Sequence, residues 1–323
     1  FYPSSLDSAN AVPVDVGPGG EIRGIDIRMQ KVRVFRIRGK VVNGAGGRGM
    51  VMVALNPKEG GLPNVSTSPA RPPENRFELR GVPPGVYMVH AQLGNGNQPT
   101  VVFQEVQVTN GHVDDLVLTM APGIDVQGTV KVEGSTSPVD LPNLSVNLRP
   151  TMQLGGAPRA KAEDAKFTLK SVAPLHYNVN VSGVPDTCFV KSIRYGGQEV
   201  PEEGIDIVGA GTMEVVLSAT AGEVDGSALD KDGKPVPGAI VSLVPKDGSN
   251  IQIRSADENG GAAFKGLKPG EYLLMAWEDI PPGAAQAPEF FKPYEGRGEQ
   301  VKVDPSAKKA VQIKTIPAEE TDK

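Results

Sequence analysis

Apolar and polar residues alternate with a period of two through most of this chain. Residues 25–29 read Ile-Asp-Ile-Arg-Met, and residues 34–41 continue the same alternation. Such a pattern places one face of a strand on a core and the other face in water. No stretch of 11 or more residues shows a convincing helical period, and the frequent Gly and Pro residues would break most helices. We therefore predict an all-β protein.

A strand pattern of roughly 95 residues, long enough for a β-sandwich core, recurs three times. Each copy opens on a strand that carries a glycine: Gly39, Gly128 and Gly226. The second strand of each copy closes on a proline: Pro57, Pro150 and Pro245. These repeats predict an N-terminal segment at 1–30, β-sandwich modules at 31–121, 122–220 and 221–318, and a tail at 319–323.

A turn motif follows in each module. Pro84-Gly85 and Pro269-Gly270 are typical of type II turns, in which glycine supplies a positive φ. In the middle module Leu175 stands where glycine is expected, so its turn must differ. The middle module also adds residues 188–200, which predict an extra hairpin.

The opening glycine strand, the Asp-Gly hairpin at 232–239 and the run from Phe264 to Tyr272 together resemble carboxypeptidase regulatory-like domains. These domains are prealbumin-like, Ig-like β-sandwiches of about seven strands. The chain is also similar to secreted multi-module proteins of acidobacteria. The resemblance implies a secreted, extracellular or cell-surface protein that is not an enzyme. It implies no ligand, because one fold hosts many functions.

The last two strands of the repeat occur a fourth time, before the first module, without an opening half. The four candidate pairs are Val14/Val16 with Ile25/Ile27, Val106/Val108 with Leu116/Leu118, Ile205/Ile207 with Val215/Leu217, and Val301/Val303 with Val311/Ile313. Unpaired strands would expose backbone donors and apolar side chains to water. The N-terminal strand pair therefore needs a partner.

Three interpretations of this pair remain open. The chain is part of a longer surface protein with an upstream module, or the segment folds back on module 1, or it adds to a sheet of a second copy. The third makes the chain a homopolymer subunit of a surface fibre or layer. The residues expected to mediate strand addition are Val14, Val16, Ile22, Ile25, Ile27 and Met29.

The composition limits the classes of partner that this chain is expected to bind. The chain has 33 Lys and Arg residues and 38 Asp and Glu residues, which gives a net charge of −5. The two signs of charge are interspersed along the sequence, and this argues against nucleic acid as a partner. No apolar run approaches the ~20 residues of a membrane helix, so we expect no membrane insertion. The basic stretch 23–38 favours a solvated strand edge over a binding patch. The single cysteine, Cys188, excludes an intrachain disulfide and is expected to be a small buried residue.

Residues that support catalysis are present but are not grouped. His90, His112 and His176 lie on different elements, and there is no Gly-x-Ser-x-Gly motif. We therefore expect no catalytic residues, cofactor or metal. The Asp-rich segments 230–233 and 257–260 favour tight turns over weak ion sites, because Asp-Gly is a strong hairpin signal.

Four aromatic residues in module 3 allow a ligand hypothesis. Trp277, Phe290, Phe291 and Tyr294 occur close together late in the module. Their rings would either contact a ligand, as in a monomeric cell-surface binding module for polysaccharide or peptide, with ring faces stacked on a sugar, or cap a long loop that folds back over its own sandwich.

Overall fold

The computed structural model describes residues 1–5, 10–14, 16, 21–28, 31–43, 49–58, 66–71, 73–93, 100–136, 138–151, 157–280, 283 and 288–321. These residues form mainly strands, with short helical segments at 288–297 and 318–321. The predicted all-β architecture of three tandem sandwiches is confirmed.

The first sandwich is built from seven strands in two sheets. The strands are β1 (Phe35–Asn43), β2 (Val51–Pro57), β3 (Ser66–Pro69), β4 (Arg76–Val82), β5 (Gly85–Leu93), β6 (Thr100–Val108) and β7 (Val113–Met120). One sheet has the order β4-β1-β7, with β7 parallel to β1, and the other has the order β3-β2-β5-β6. Ile37, Leu55 and Leu118 are fully buried between the two sheets.

The second sandwich repeats this plan and adds a hairpin. Its strands are β8 (Ile124–Glu133), β9 (Ser145–Pro150), β10 (Arg159–Lys161), β11 (Lys166–Val172), β12 (His176–Ser182), β13 (Phe189–Tyr195), β14 (Gln198–Glu199), β15 (Ile205–Asp206) and β16 (Thr212–Ser218). The sheets have the orders β11-β8-β16-β13-β14 and β10-β9-β12-β15. The antiparallel pair β13–β14 confirms the hairpin predicted at 188–200.

The third sandwich has its two sheets joined at one corner. Its elements are β17 (Gly222–Leu229), β18 (Ile240–Pro245), β19 (Gln252–Ser255), β20 (Gly261–Leu267), β21 (Gly270–Trp277), α1 (Pro288–Phe291), a 3₁₀ helix (Lys292–Arg297), β22 (Glu299–Val303), β23 (Lys308–Ile316) and α2 (Ala318–Thr321). Strands β20-β17-β23 form one layer, and β19-β18-β21-β22 form the other. The corner forms where Ala276 and Trp277 pair in parallel with Thr315 and Ile316.

The closing strands of each module do not pair with each other, although the sequence pattern suggested that they would. In module 1, β6 is hydrogen-bonded to β5, whereas β7 is hydrogen-bonded to β1 in the opposite sheet. Modules 2 and 3 separate their last two strands in the same way. Each closing strand therefore depends on a strand from the opening half of its own module.

The opening glycines are explained by close packing. A Cβ atom on Gly39 would lie 2.1 Å from the carbonyl oxygen of Leu116, and one on Gly128 would lie 2.1 Å from Cζ of Phe167. The Phe167 ring lies across the strand at the position a side chain would occupy. Gly226 is less confined, since its nearest neighbour would be Cδ2 of Leu274 at 3.2 Å.

The turn before β5, β12 and β21 departs from the sequence prediction. Positive φ occurs at Gly81 (71°), Ser171 (52°) and Gly266 (67°), four positions before the glycines that were expected to supply it. Gly85 has a φ of 159°, and Gly270 has no positive φ, so the type II assignment of the Pro-Gly pairs is wrong. Leu175 is tolerated for the same reason, because its position needs no left-handed backbone.

The same turn is fixed by a tyrosine in all three modules. The hydroxyl groups of Tyr87, Tyr177 and Tyr272 each donate a hydrogen bond to the carbonyl oxygen four residues earlier, over 3.0, 3.0 and 2.5 Å. Such tyrosine corners lock the entry of a strand onto its sandwich. Burial raises the pKa of Tyr177 to about 12.

Candidate functional site

The N-terminal segment is exposed along most of its described length. Within the described part of residues 1–34 there is no strand, so the predicted pairing of Val14/Val16 with Ile25/Ile27 is wrong for the single chain. Val14 is half-buried, Met29 lies outside the described residues, and the exposed fractions of the other residues predicted to mediate strand addition are 58% for Val16, 43% for Ile22, 39% for Ile25 and 58% for Ile27.

The plan of the sandwiches gives the physical reason for this difference. The closing strands of the three modules each pair with another strand of their own module. Among the described residues, 21–28 form no such ladder, so their apolar alternation is present without strand pairing. A hydrogen bond from the Arg28 backbone N–H to Oγ of Ser4, over 3.3 Å, ties them instead to residues of their own segment.

The basic stretch 23–38 divides into two parts. Arg36 and Arg38, on β1, lie 3.2 and 3.6 Å from a carboxylate oxygen of Glu78 on the neighbouring strand. Together with Arg80, the closest partner, they hold the pKa of Glu78 below its ordinary value. Arg23 pairs with Glu21, two residues away. The β1 arginines are thus engaged across the sheet, whereas the arginines of 21–28 are in solvent.

The three modules differ in what lies beside their last strand, at the edge away from the opening strand. The closing strands β7, β16 and β23 all run parallel to the opening strand of their module. In module 2, β13 covers the far side of β16 as an antiparallel neighbour. In module 3, the end of β23 pairs with β21. Among the residues described in module 1, β7 pairs with β1 and with no further strand.

The aromatic residues of module 3 come together in a second small core on the outer face of its β18–β21 sheet. Trp277 is fully buried, and its ring centroid lies 5.0–5.9 Å from those of Phe290, Phe291 and Tyr294. The Trp277 indole N–H donates to Oγ of Ser242 over 3.0 Å. This arrangement matches the loop that folds back over its own sandwich. Trp277 and Phe291, at 0% and 2% exposure, offer no ring face to a sugar, so that part of the stacking hypothesis is wrong.

The C-terminal helix α2 is bonded to the 3₁₀ helix that covers Trp277. Tyr294 donates from its hydroxyl to the carbonyl oxygen of Glu320 over 2.9 Å, and Arg297 forms an ion pair with the Glu320 carboxylate at 2.8 Å. Phe290 and Tyr294 remain half-buried at the rim. The segment 288–321 is thus an integral part of module 3.

The histidines lie in three unrelated surroundings. His90 is buried against Phe103, and desolvation lowers its pKa. His112 accepts a hydrogen bond at Nδ1 from the Arg36 backbone over 3.1 Å. His176 bonds the Glu203 carbonyl through Nε2 at 2.8 Å and the Asp206 carboxylate through Nδ1 at 2.9 Å, and these two contacts, in that order, raise its pKa.

The acidic turns engage their own backbone. Oδ1 of Asp230 accepts from the N–H groups of Asp232 and Lys234, both over 2.8 Å, and these bonds lower the pKa of Asp230. Asp257 accepts two backbone bonds of the same kind and length. This is the tight-turn alternative predicted for both segments. Within the described ranges, no three His, Cys, Asp or Glu side chains are grouped so as to hold a metal ion.

The joins between the modules are short. Three residues, 121–123, separate β7 from β8, and three residues, 219–221, separate β16 from β17. A Cβ atom on Gly123 would lie 2.3 Å from the backbone of Ser171, so glycine is needed for the first join to pack on module 2. Cys188, predicted to be a small buried residue, is 1% exposed in the core of module 2, near the second join.

Modules 2 and 3 are also bonded to each other directly. The carbonyl oxygen of Asp186 accepts from the Gly266 backbone over 3.0 Å, and its carboxylate lies 3.5 Å from the Lys265 ammonium. The Thr187 carbonyl accepts from the Ala221 N–H over 3.2 Å. These contacts limit rotation at the second join.

A cleft of about 900 Å³ opens beside this junction, lined by residues from 184–190, 245–254 and 265–272. Its lysines are largely matched by acids, since Lys265 faces Asp186 at 3.5 Å and Lys246 faces Glu271 at 2.5 Å. The cleft therefore presents no strong charge to select a ligand.

Comparison with known proteins does not assign a family, because no family model matches the chain. Colossin-A of Dictyostelium discoideum is 20% identical over 256 residues, which cover 67% of this chain and only 2% of that protein. The chain thus spans a very small part of the curated relative that it matches.

Among solved structures, the Bacillus anthracis TIE protein is 14% identical, with 89% of this chain and 51% of that chain covered and a TM-score of 0.23. A streptococcal ancillary pilin is 11% identical, with 87% and 99% covered and a TM-score of 0.28. The major pilin subunit BcpA of Bacillus cereus is 12% identical, with the same coverage and a TM-score of 0.24. At these levels of identity and superposition, the likeness identifies neither a family nor a function. No helix among the described residues is long and apolar enough to cross a membrane.

Proposed function

We propose that this chain is a non-catalytic structural protein of the cell surface or extracellular space. Its three sandwiches form a spacer, and its N-terminal segment joins copies into a fibre or layer by β-strand addition. The observation that carries the proposal is the exposed segment 21–28, with apolar alternation at 25–28, which forms no strand with the other described residues of the chain. The extracellular location rests on the resemblance to carboxypeptidase regulatory-like domains and stays a prediction.

The spacer part of the proposal is supported by the joins. Linkers of three residues and the backbone bonds between Asp186 and Gly266 and between Thr187 and Ala221 leave little freedom between modules 2 and 3. Short linkers of this kind transmit orientation from one module to the next. A fixed orientation suits a stalk or fibre, in which each module must hold its neighbour in line.

The assembly part is supported by the energetics of strand addition. A strand of about six residues would form several backbone hydrogen bonds, each worth about 1 kcal/mol net. Burying the exposed parts of Ile25 and Ile27, which share one face of an extended strand, would add about 1 kcal/mol each. The cost of association is at least about 4 kcal/mol, so the gain per contact is small. We therefore expect assembly to depend strongly on protein concentration.

Electron microscopy of negatively stained protein tests the proposal. The full chain at high concentration should form filaments or layers, and a variant that lacks residues 1–30 should remain monomeric. The deletion leaves β1–β23 intact, so loss of assembly would not reflect loss of the fold. Polymers in the truncated variant would overturn the role of the segment, and monomers in both proteins would overturn self-assembly.

Polysaccharide binding is the weaker alternative, because it depends on Phe290 and Tyr294 alone. Both rings are half-buried and pack on Trp277, so only the rim of the aromatic core is accessible. A glycan array would favour this alternative if the wild type bound a sugar that the Phe290→Ala variant did not bind.

A further inference from the structure

The edge of β7 in module 1 corresponds to the edge of β16 in module 2, where another strand, β13, is already bound. Strand β16 of module 2 runs parallel to β8, just as β7 runs parallel to β1. Next to β16 lies β13, whose residues Phe189–Tyr195 pair antiparallel with Met213–Ser218. The sandwich of this protein therefore accepts an additional antiparallel strand at this edge.

The added strand in module 2 shows what such a strand needs. Val190, Ile193 and Tyr195 pack against the core of the module. The basic residues of β13 form ion pairs with the sheet: Lys191 lies 2.6 Å from Glu133, and Arg194 lies 3.9 Å from Glu214. The strand thus combines alternating apolar residues with basic residues that meet acidic residues of the sheet.

The edge of β7 is open in the described part of module 1 and is acidic near its start. Asp114 and Asp115 are exposed, and Val117 is 41% exposed. Asp114 lies 3.6 Å from Arg38, whereas within the described residues no ion pair is formed by Asp115. A basic strand alongside β7 would complete the same arrangement that β13 provides in module 2.

Residues 21–28 have the required composition. Ile25 and Ile27 alternate with Asp26 and Arg28. If residues 23–28 pair antiparallel along residues 115–120 of β7, as β13 pairs with β16, Arg28 lies opposite Asp115 at the acidic start of the strand. In that register Ile27 lies opposite Leu116 and Ile25 opposite Leu118, so both isoleucines face the side of the sheet that carries these leucines.

We propose that the N-terminal segment of a second copy binds the β7 edge of module 1 as an antiparallel strand. This inference rests on the proposed function and names its acceptor. Donor and acceptor are different surfaces, so the contact is heterologous and repeats from copy to copy. Strand β16 cannot serve as acceptor, because β13 occupies its edge.

Charge reversal with rescue tests the acceptor. Sedimentation equilibrium should show that Arg28→Glu and Asp115→Lys each weaken self-association of the full chain about five- to tenfold, and that the double variant recovers most of the loss. Asp164→Lys is the matched control, because Asp164 is an exposed aspartate of module 2 that also has positive φ, 47° against 59° for Asp115. It should leave association unchanged.

Hydrogen exchange separates the possible failures. In the wild type, the amides of 113–120 that do not bond β1 should become protected as concentration rises. Self-association without an effect of either variant and without this protection would overturn the acceptor while the proposed function stands. Protection of these same amides that does not depend on concentration would show that the segment folds back within one chain. A chain that stays monomeric at every concentration would overturn both proposals together.

Discussion

The glycine at the centre of each opening strand allows a sharp test of the packing. In module 2, a Cβ atom on Gly128 would lie 2.1, 2.4 and 2.5 Å from three ring atoms of Phe167. Phe167 is 4% exposed and has core neighbours on its other side, so the ring cannot withdraw without disturbing them. We expect Gly128→Ala to destabilise module 2 by about 2–3 kcal/mol, the upper part of the usual range for overpacking a core.

The chain contains its own control for this substitution. On Gly226, the equivalent residue of module 3, the new methyl group would meet Leu274 at 3.2 Å, a distance that a small side-chain shift relieves. Replacing glycine by alanine also reduces the entropy of the unfolded chain, which gains about 0.4–1 kcal/mol. We therefore expect Gly226→Ala to change stability by less than about 1 kcal/mol.

Two local probes separate the modules, because three sandwiches in one chain do not unfold as a single two-state unit. Trp277, the only tryptophan, reports module 3 by fluorescence. Hydrogen exchange of peptides from β8 and β11 reports module 2. A loss of about 2 kcal/mol should lower the unfolding midpoint of module 2 by roughly 8–16 °C. Equal effects of Gly128→Ala and Gly226→Ala would refute the argument that the Phe167 ring requires the glycine.

Three further predictions concern module 2. Ser171→Gly should stabilise it by about 0.5–1 kcal/mol, because a left-handed serine is strained and glycine is not, and an unchanged or lower thermal midpoint would contradict this. Tyr177→Phe should cost about 1–3 kcal/mol in urea unfolding, because the buried Ala173 carbonyl loses its donor, and a cost near zero would count against the tyrosine corner. The pKa of His176 is raised, chiefly by its bond to the Glu203 carbonyl. The stability that this histidine contributes to the folded state is therefore complete below the ordinary histidine pKa and is lost as pH rises through the pKa of His176 in the folded protein. Titration of its ring by NMR at or below the ordinary value would contradict that assignment.

The strands were predictable from the sequence because their signal is local. Period-two alternation defines a half-buried strand without knowledge of its neighbours, and the glycine of each opening strand marks a close approach. The additional hairpin of module 2 was also visible, because residues 188–200 have no counterpart in the other modules. Its role was not visible, since closing the edge of β16 depends on parallel pairing between residues about 85 positions apart.

Features that depend on the whole module are not visible in a local pattern. The sequence predicts a left-handed backbone at the Pro-Gly pairs, whereas the structure places it at Gly81, Ser171 and Gly266. In module 2 this left-handed position is Ser171, and a serine does not indicate positive φ as a glycine does, so the sequence does not show that the three modules share it. Trp277 was considered as a binding residue because nothing local shows that α1 and the 3₁₀ helix cover its face of the sheet.

The N-terminal segment shows most clearly where local patterns are insufficient. Residues 25–28 have the alternation of a strand, yet in the single chain they form none. Alternation reports which side chains could share a core, whereas a strand also requires a neighbouring backbone. For residues 21–28 that neighbour, in our account, belongs to another molecule.

Hydrogen exchange at the amides of residues 21–28, measured over a wide range of protein concentration, tests this account most directly. If a second copy supplies the missing partner, these amides exchange rapidly in dilute solution and become protected as concentration rises. Rapid exchange at every concentration would contradict the account, because the segment would then be a solvated tail with no sheet to join.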